Sequence, residues 1–232
     1  MPLFFIDYWY IVLVVPVLIA SLIIQSITRS TYRKYSGVQT YGGCTGADMA
    51  RRILRENGIS DVNVVPINGE LSDHYDPKAR VIKLSKNVYD GRSVASLGVA
   101  SHEAGHAVQH ATAYAPLTAR NAFAPVAGFC SGISWYVLIL GIFMQYELII
   151  NIGIILFAAA AVFQLITLPV EFNASRRAIS ALRQSNVMNE EELSGTKKVL
   201  TAAALTYVAA LALSIASLIR VLMITRNRNG RD

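Results

Sequence analysis

Residues 123–168 read FAPVAGFCSGISWYVLILGIFM, QYE, LIINIGIILFAAAAVFQLITL, and this stretch decides the fold. Its only charged side chain is Glu147. Each half has about the 20 apolar residues that a helix needs to cross a bilayer. Gln145, Tyr146 and Glu147 are the polar break between them. The two halves, Phe123–Met144 and Leu148–Leu168, therefore predict a tight transmembrane hairpin.

Two more apolar stretches flank the hairpin. Tyr8–Ile27 carries Tyr8, Trp9 and Tyr10 at its front, as an interfacial aromatic belt does. Arg29, Arg33 and Lys34 follow it, with no small-residue cleavage site, so an uncleaved anchor is expected rather than a signal peptide. Val199–Ile224 is the fourth stretch, with Arg220 near its end, where it can snorkel. No membrane-embedded charge pair is expected, which argues against a transporter. Composition agrees with four spans: 53% of the residues are hydrophobic and 16% charged, against about 25% charged in globular domains. Mean hydropathy is +0.42. The net charge is +6, yet no basic stripe interleaved with aromatics occurs, so the bilayer and not nucleic acid is the expected partner. The two cysteines, Cys44 and Cys130, lie far apart and form no CxxC, which fits a reducing compartment.

The expected organisation is an anchor (1–27), an α+β segment (28–121), the hairpin (122–169), a helix (170–198), and a fourth span with a basic tail (199–232). Four spans put both polar segments on one side. They hold twelve and five Lys or Arg residues, against none in the first seven residues and four from Arg220 onward. The excess assigns that side to the cytoplasm, with the basic tail pulling the other way.

Within 28–121, Thr45 is a helix cap with Asp48 three residues on, as in a capping box. Ala47–Asn57 reads as helix with Met49, Ile53 and Leu54 on one face, stopped by Gly58. Val62–Ile67 reads as a strand broken by Pro66, Asn68-Gly69 as a turn, and Arg80–Leu84 as a second strand that could offer an edge to an extended peptide. Ser93 caps a further helix that ends before Pro116.

That helix carries His102-Glu103-Ala104-Gly105-His106. Histidines four apart share one helix face, a spacing that suits two ligands of a tetrahedral Zn2+. Glu103 points about 100° away from His102, beside the metal but not on it, where a general base for water belongs. The small Ala104 and Gly105 admit close approach by another chain or a substrate. A third ligand must return to the same side. Glu147 lies at the hairpin tip and is excluded; Glu171 follows the returning span and starts a pattern with Ala174, Ala178 and Leu182 on one face. Glu190, Glu191 and Glu192 read as the solvated start of a further turn. His110 competes as a ligand, but a continuous helix carries it about one turn past the metal. His74 and Tyr75 either sit in a polar loop or reach the site to donate to an oxyanion.

Gly46-Ala47, the Leu71–Pro77 segment LSDHYDP, Leu84-Ser85, the Ala100–Gln109 segment ASHEAGHAVQ and the Pro169–Ser175 segment PVEFNAS together resemble the YugP-type neutral zinc metallopeptidases of bacteria. More distantly they resemble the HtpX and CAAX prenyl-protease group of membrane gluzincins. The nearer resemblance implies peptidase activity with Zn2+ in a bacterial plasma membrane, without a defined substrate. The distant one implies that Glu171, opening an E-x-x-A-D motif, is the third ligand. Ser175 stands where that motif has aspartate, the usual support of a ligating histidine; Ser175 would replace it only weakly, or Asn173 or another group would take over.

The expected protein is therefore mainly α: a four-helix transmembrane protein with a small α+β, zincin-like unit carrying the HExxH helix. The expected function is zinc-dependent hydrolysis of polypeptides at the bilayer. The rival is a zinc-binding scaffold or chaperone-like protein without turnover, which would have no need of Glu103. An oligomer or a membrane partner stays open.

Overall fold

A computed structural model describes residues 7–70 and 72–229. Leu71 of the LSDHYDP segment, residues 1–6, and residues 230–232 with Arg231 of the basic tail lie outside the described residues. The chain forms two compact units. One comprises 26–118 and 169–205, the other the remaining apolar helix segments.

Among the described residues, four helices are long and apolar enough to cross a membrane. The first is a π-helical turn, Tyr10–Val14, continuing into α1 (Val15–Ser36). The others are α5 (Ala115–Met144), α6 (Glu147–Ser185) and α7 (Glu190–Asn229). In the apolar unit α5 and α6 meet at the expected break, where Gln145 adopts φ 55°. Arg220 does not simply snorkel. Its Nε and one Nη lie 2.8 and 2.6 Å from Asp7 Oδ2, and its guanidinium stacks over Tyr10. A charge pair thus exists where none was expected, because Asp7 and Arg220 are 213 residues apart.

The 170–198 segment, expected as a separate helix, is divided between two long helices that continue into the apolar spans. α6 runs 39 residues through Pro169, so Glu171 lies inside a helix and not at its start. α7 begins at Glu190. Glu192 is not solvated but buried. It accepts from the Asn189 backbone N–H while Asn189 Oδ1 accepts from the Glu192 N–H, both at 2.9 Å, and it also accepts from the Tyr41 N–H. This reciprocal cap satisfies the first orphan donors of α7 and ties the 37–45 loop to it.

The other unit adds α2 (Gly46–Glu56), α3 (Lys86–Tyr89), α4 (Val94–Ala111) and a sheet of β1 (Asn63–Ile67), β2 (His74–Asp76) and β3 (Val81–Ser85). The Thr45–Asp48 capping box starts α2. Sheet order is β1-β3-β2, with β1 parallel and β2 antiparallel to β3. Two expectations change here. Pro66 does not break β1, because β1 is an edge strand and a proline is tolerated there. β3 is central and offers no free edge; the edges are β1 and β2. Three-residue β2 has no periodicity to read, and Asp73 pins its start by accepting from the Ser85 N–H (2.7 Å) and hydroxyl.

Met49, Ile53 and Leu54 of α2, Ile82 and Leu84 of β3, Leu97, Ala104 and Val108 of α4, and Leu182 of α6 share one core. α4 is buried from Val94 to Gln109 except at Val99 and His102. A helix enclosed nearly all round is a rigid platform, and this one carries the motif.

Candidate metal centre

α4 and the 169–185 part of α6 bring together the three predicted ligands. His102 Nε2 lies 3.3 Å and His106 Nε2 3.6 Å from the same oxygen, Glu171 Oε2. One ligand atom from each residue falls within 4.8 Å of the others. A tetrahedral ion with bonds of about 2.0–2.1 Å separates its ligand atoms by about 3.3–3.4 Å. Two imidazoles and a carboxylate at this spacing fit Zn2+ in both donor chemistry and size. Glu171 is buried, with 2% exposure.

The close approach of the helices depends on Gly105. A Cβ there would meet the Ala174 carbonyl oxygen at 2.8 Å, so any side chain would push α6 away. The space this glycine provides is filled by the chain itself and not by a substrate.

Each imidazole is held from behind. Gln109 is fully buried; its Nε2 donates to the Val170 carbonyl (2.8 Å) and to Asn173 Oδ1 (3.0 Å). That fixes the amide orientation, so its Oε1 faces His106 Nδ1 at 3.0 Å as an acceptor. His106 must then carry its proton on Nδ1, leaving the Nε2 lone pair free for a metal. Ser175 Oγ lies 3.1 Å from His102 Nδ1, but a hydroxyl both donates and accepts and fixes no tautomer. Asn173 does not touch an imidazole: it accepts from Gln109 and from Arg177 Nε (2.9 Å). Gln109 belongs to none of the chemical motifs in the sequence. The signal was available, since position i+3 from His106 shares its helix face.

Burial opposes the charged form of His106, but hydrogen bonding to Glu171 and the charge of Glu103 outweigh it. The imidazole is held above its ordinary pKa.

Glu103 is 8% exposed and lies outside the ligand cluster. Its Oε2 accepts from the Tyr75 backbone N–H at 2.9 Å, so β2 aims the carboxylate. The Tyr75 hydroxyl lies 2.7 Å from His110 Nδ1. His110 therefore pairs with Tyr75 and is not in the cluster. His74 is exposed, with Nδ1 2.8 Å from the Ser72 carbonyl oxygen.

A family model described as "Putative neutral zinc metallopeptidase" matches residues 10–226. The chain is 49% identical over 208 residues to the "Putative membrane protease YugP" of Bacillus subtilis (strain 168), covering 90% of this chain and 92% of that protein. No solved structure matches.

Proposed function

The chain belongs to the neutral zinc metallopeptidase family, whose cofactor is Zn2+, and from that premise we propose that it is a membrane-bound endopeptidase hydrolysing polypeptide segments near the bilayer. The observation that carries this reading is the convergence of His102 Nε2, His106 Nε2 and Glu171 Oε2, with Glu103 held beside them. We assign the two histidines and Glu171 as zinc ligands. When bound, the ion supplies Lewis-acid polarisation of a carbonyl and acidifies water.

The rest of the chemistry belongs to the side chains. Glu103 takes a proton from the attacking water and later delivers it to the leaving amine. The Tyr75 N–H holds one oxygen of that carboxylate and leaves Oε1 for the proton. Gln109 and Ser175 orient the imidazoles. We assign the Tyr75 hydroxyl as the donor for the oxyanion that forms at the scissile carbonyl, with His110 carrying its proton on Nδ1 and donating to the Tyr75 oxygen so that the phenol proton stays free. Glu103 also speaks against a scaffold without turnover, since holding a metal needs no base.

The catalytic unit is assembled from segments 28–121 and 170–198, between an anchor, a hairpin and a fourth span. Seventeen Lys and Arg residues in those two segments favour the cytoplasmic face of a bacterial plasma membrane. Purified Glu103→Gln protein in detergent is expected to keep stoichiometric zinc and to lose cleavage of a generic unfolded polypeptide. Wild-type cleavage by this variant would overturn the mechanism. Chelator-insensitive cleavage by the wild type would overturn the metal's part in it.

A further inference from the structure

One cleft is lined by none of His102, His106 and Glu171. It has a volume of about 900 Å³ and is lined by Arg29 and Arg33 of α1, by Lys86 and Arg92, and by Glu70 and Asp90. None of the four cations makes an ion pair with a described residue. Four unpaired cations against two carboxylates leave the cleft net positive.

Its depth relative to a bilayer follows from the helix. The apolar run of α1 ends at Ile27. At about 1.5 Å rise per residue, Arg29 and Arg33 stand about 3 and 9 Å beyond it. A headgroup layer is about 5–7 Å deep on each face. The two arginines, four residues apart on one helix face, therefore bracket the phosphate level of the lipids around α1. The positive-inside rule asks for basic residues here, but not for a cleft between them and Lys86 and Arg92. Lys34, about 10.5 Å beyond Ile27 and so close to the depth of Arg33, does not line it.

The rest of the lining bears on the ligand. Alongside the cations stand groups that accept from hydroxyls, the carboxylates of Glu70 and Asp90 and the amide oxygens of Gln39 and Asn87. Guanidinium and ammonium groups recognise a phosphodiester. Carboxylates repel a bare phosphate but accept from the hydroxyls of a glycerol headgroup. We propose that this cleft is a binding site for an anionic glycerophospholipid headgroup, one phosphodiester seated between Arg29, Arg33, Lys86 and Arg92. The site is independent of the metal chemistry.

The full-length protein in neutral detergent would be titrated with short-chain phosphatidylglycerol, with phosphatidylcholine of the same chain length, and with inorganic phosphate. The thermal midpoint is the readout. Saturable stabilisation by phosphatidylglycerol alone is expected. Arg29→Gln/Arg33→Gln and Lys86→Gln/Arg92→Gln should each weaken apparent affinity about 10–30-fold, as loss of two cations near a lipid phosphate does. Lys34→Gln should stay within about twofold, since it leaves the lining intact. The two double variants alter different elements, α1 and the Lys86–Arg92 segment, so one still tests the site if the other does not fold. An equal response to phosphatidylcholine or to inorganic phosphate, or wild-type affinity in a folded double variant, would overturn the proposal.

Discussion

Replacing Gln109 by leucine tests the asymmetry between the two imidazole supports. The substitution keeps side-chain size and removes three hydrogen bonds, to His106 Nδ1 (3.0 Å), the Val170 carbonyl (2.8 Å) and Asn173 Oδ1 (3.0 Å). Two of the former partners have alternatives. Val170 lies inside α6, where its carbonyl accepts from the helix, and Asn173 Oδ1 keeps Arg177. The orphan is the Nδ1–H of His106, a residue only 8% exposed. An unsatisfied buried donor costs about 1–3 kcal/mol. Free of its acceptor, the ring can also move its proton to Nε2, which removes the lone pair a metal needs. Loss of such supports weakens metal affinity about 10–100-fold, or about 1.4–2.8 kcal/mol at about 1.4 kcal/mol per decade. The two estimates overlap, so Gln109→Leu should bind zinc about 10–100-fold more weakly. Chelator competition on purified protein measures this. Ser175→Ala should cost less than about tenfold, since water can replace a hydroxyl that fixes no tautomer and sits in a partly exposed place. A folded Gln109→Leu protein with zinc affinity within about twofold of wild type would refute the tautomer argument.

Three further outcomes are expected. Gly105→Ala places a Cβ 2.8 Å from the Ala174 carbonyl oxygen; by overpacking it should cost about 1–3 kcal/mol of stability and loosen zinc. A zinc site of wild-type affinity in that variant would contradict the close approach of α4 and α6. Because the metal-free pKa of His106 is raised, its contribution to metal-free stability is complete below the unfolded value of about 6.5 and lost as pH rises through the folded value. Zinc affinity should run the opposite way, falling as pH drops and protons compete for Nε2. Paired melting curves with and without zinc check both signs, and a metal-free protein that gains stability from pH 6 to 8 would refute the first. In the apolar unit, Asp7→Asn removes the carboxylate charge that lies 2.6 Å from the 8%-exposed Arg220 side chain, which should cost about 3 kcal/mol. The Asp7→Leu/Arg220→Met pair should recover most of the lost thermal midpoint, and a double variant no better than Asp7→Asn would argue against the pairing.

What the sequence disclosed and what it hid divide along physical lines. Periodicity and length read out the four apolar helices, the α2 face of Met49, Ile53 and Leu54, and the Ala174, Ala178 and Leu182 face of α6, because burial imposes a repeat on consecutive residues. Glu171 was reachable because two spans of fixed length return the chain to the side it left. The features that stayed hidden depend on pairings with no repeat. β2 is three residues long and exists through Asp73 and its register on β3. Asp7 meets Arg220 across 213 residues. The distant resemblance places the support of a ligating histidine on α6, at Ser175 or, in its stead, Asn173. Gln109 stands on α4 itself, and Asn173 acts one bond further out by holding the Gln109 amide in the orientation that makes its oxygen face the ring. The Ser175 substitution therefore bears on one histidine only. In this chain the other is secured by a buried amide whose three bonds allow a single tautomer, so the two proposed ligands are unequally held, and His102, facing only the Ser175 hydroxyl, is the one whose support should matter least.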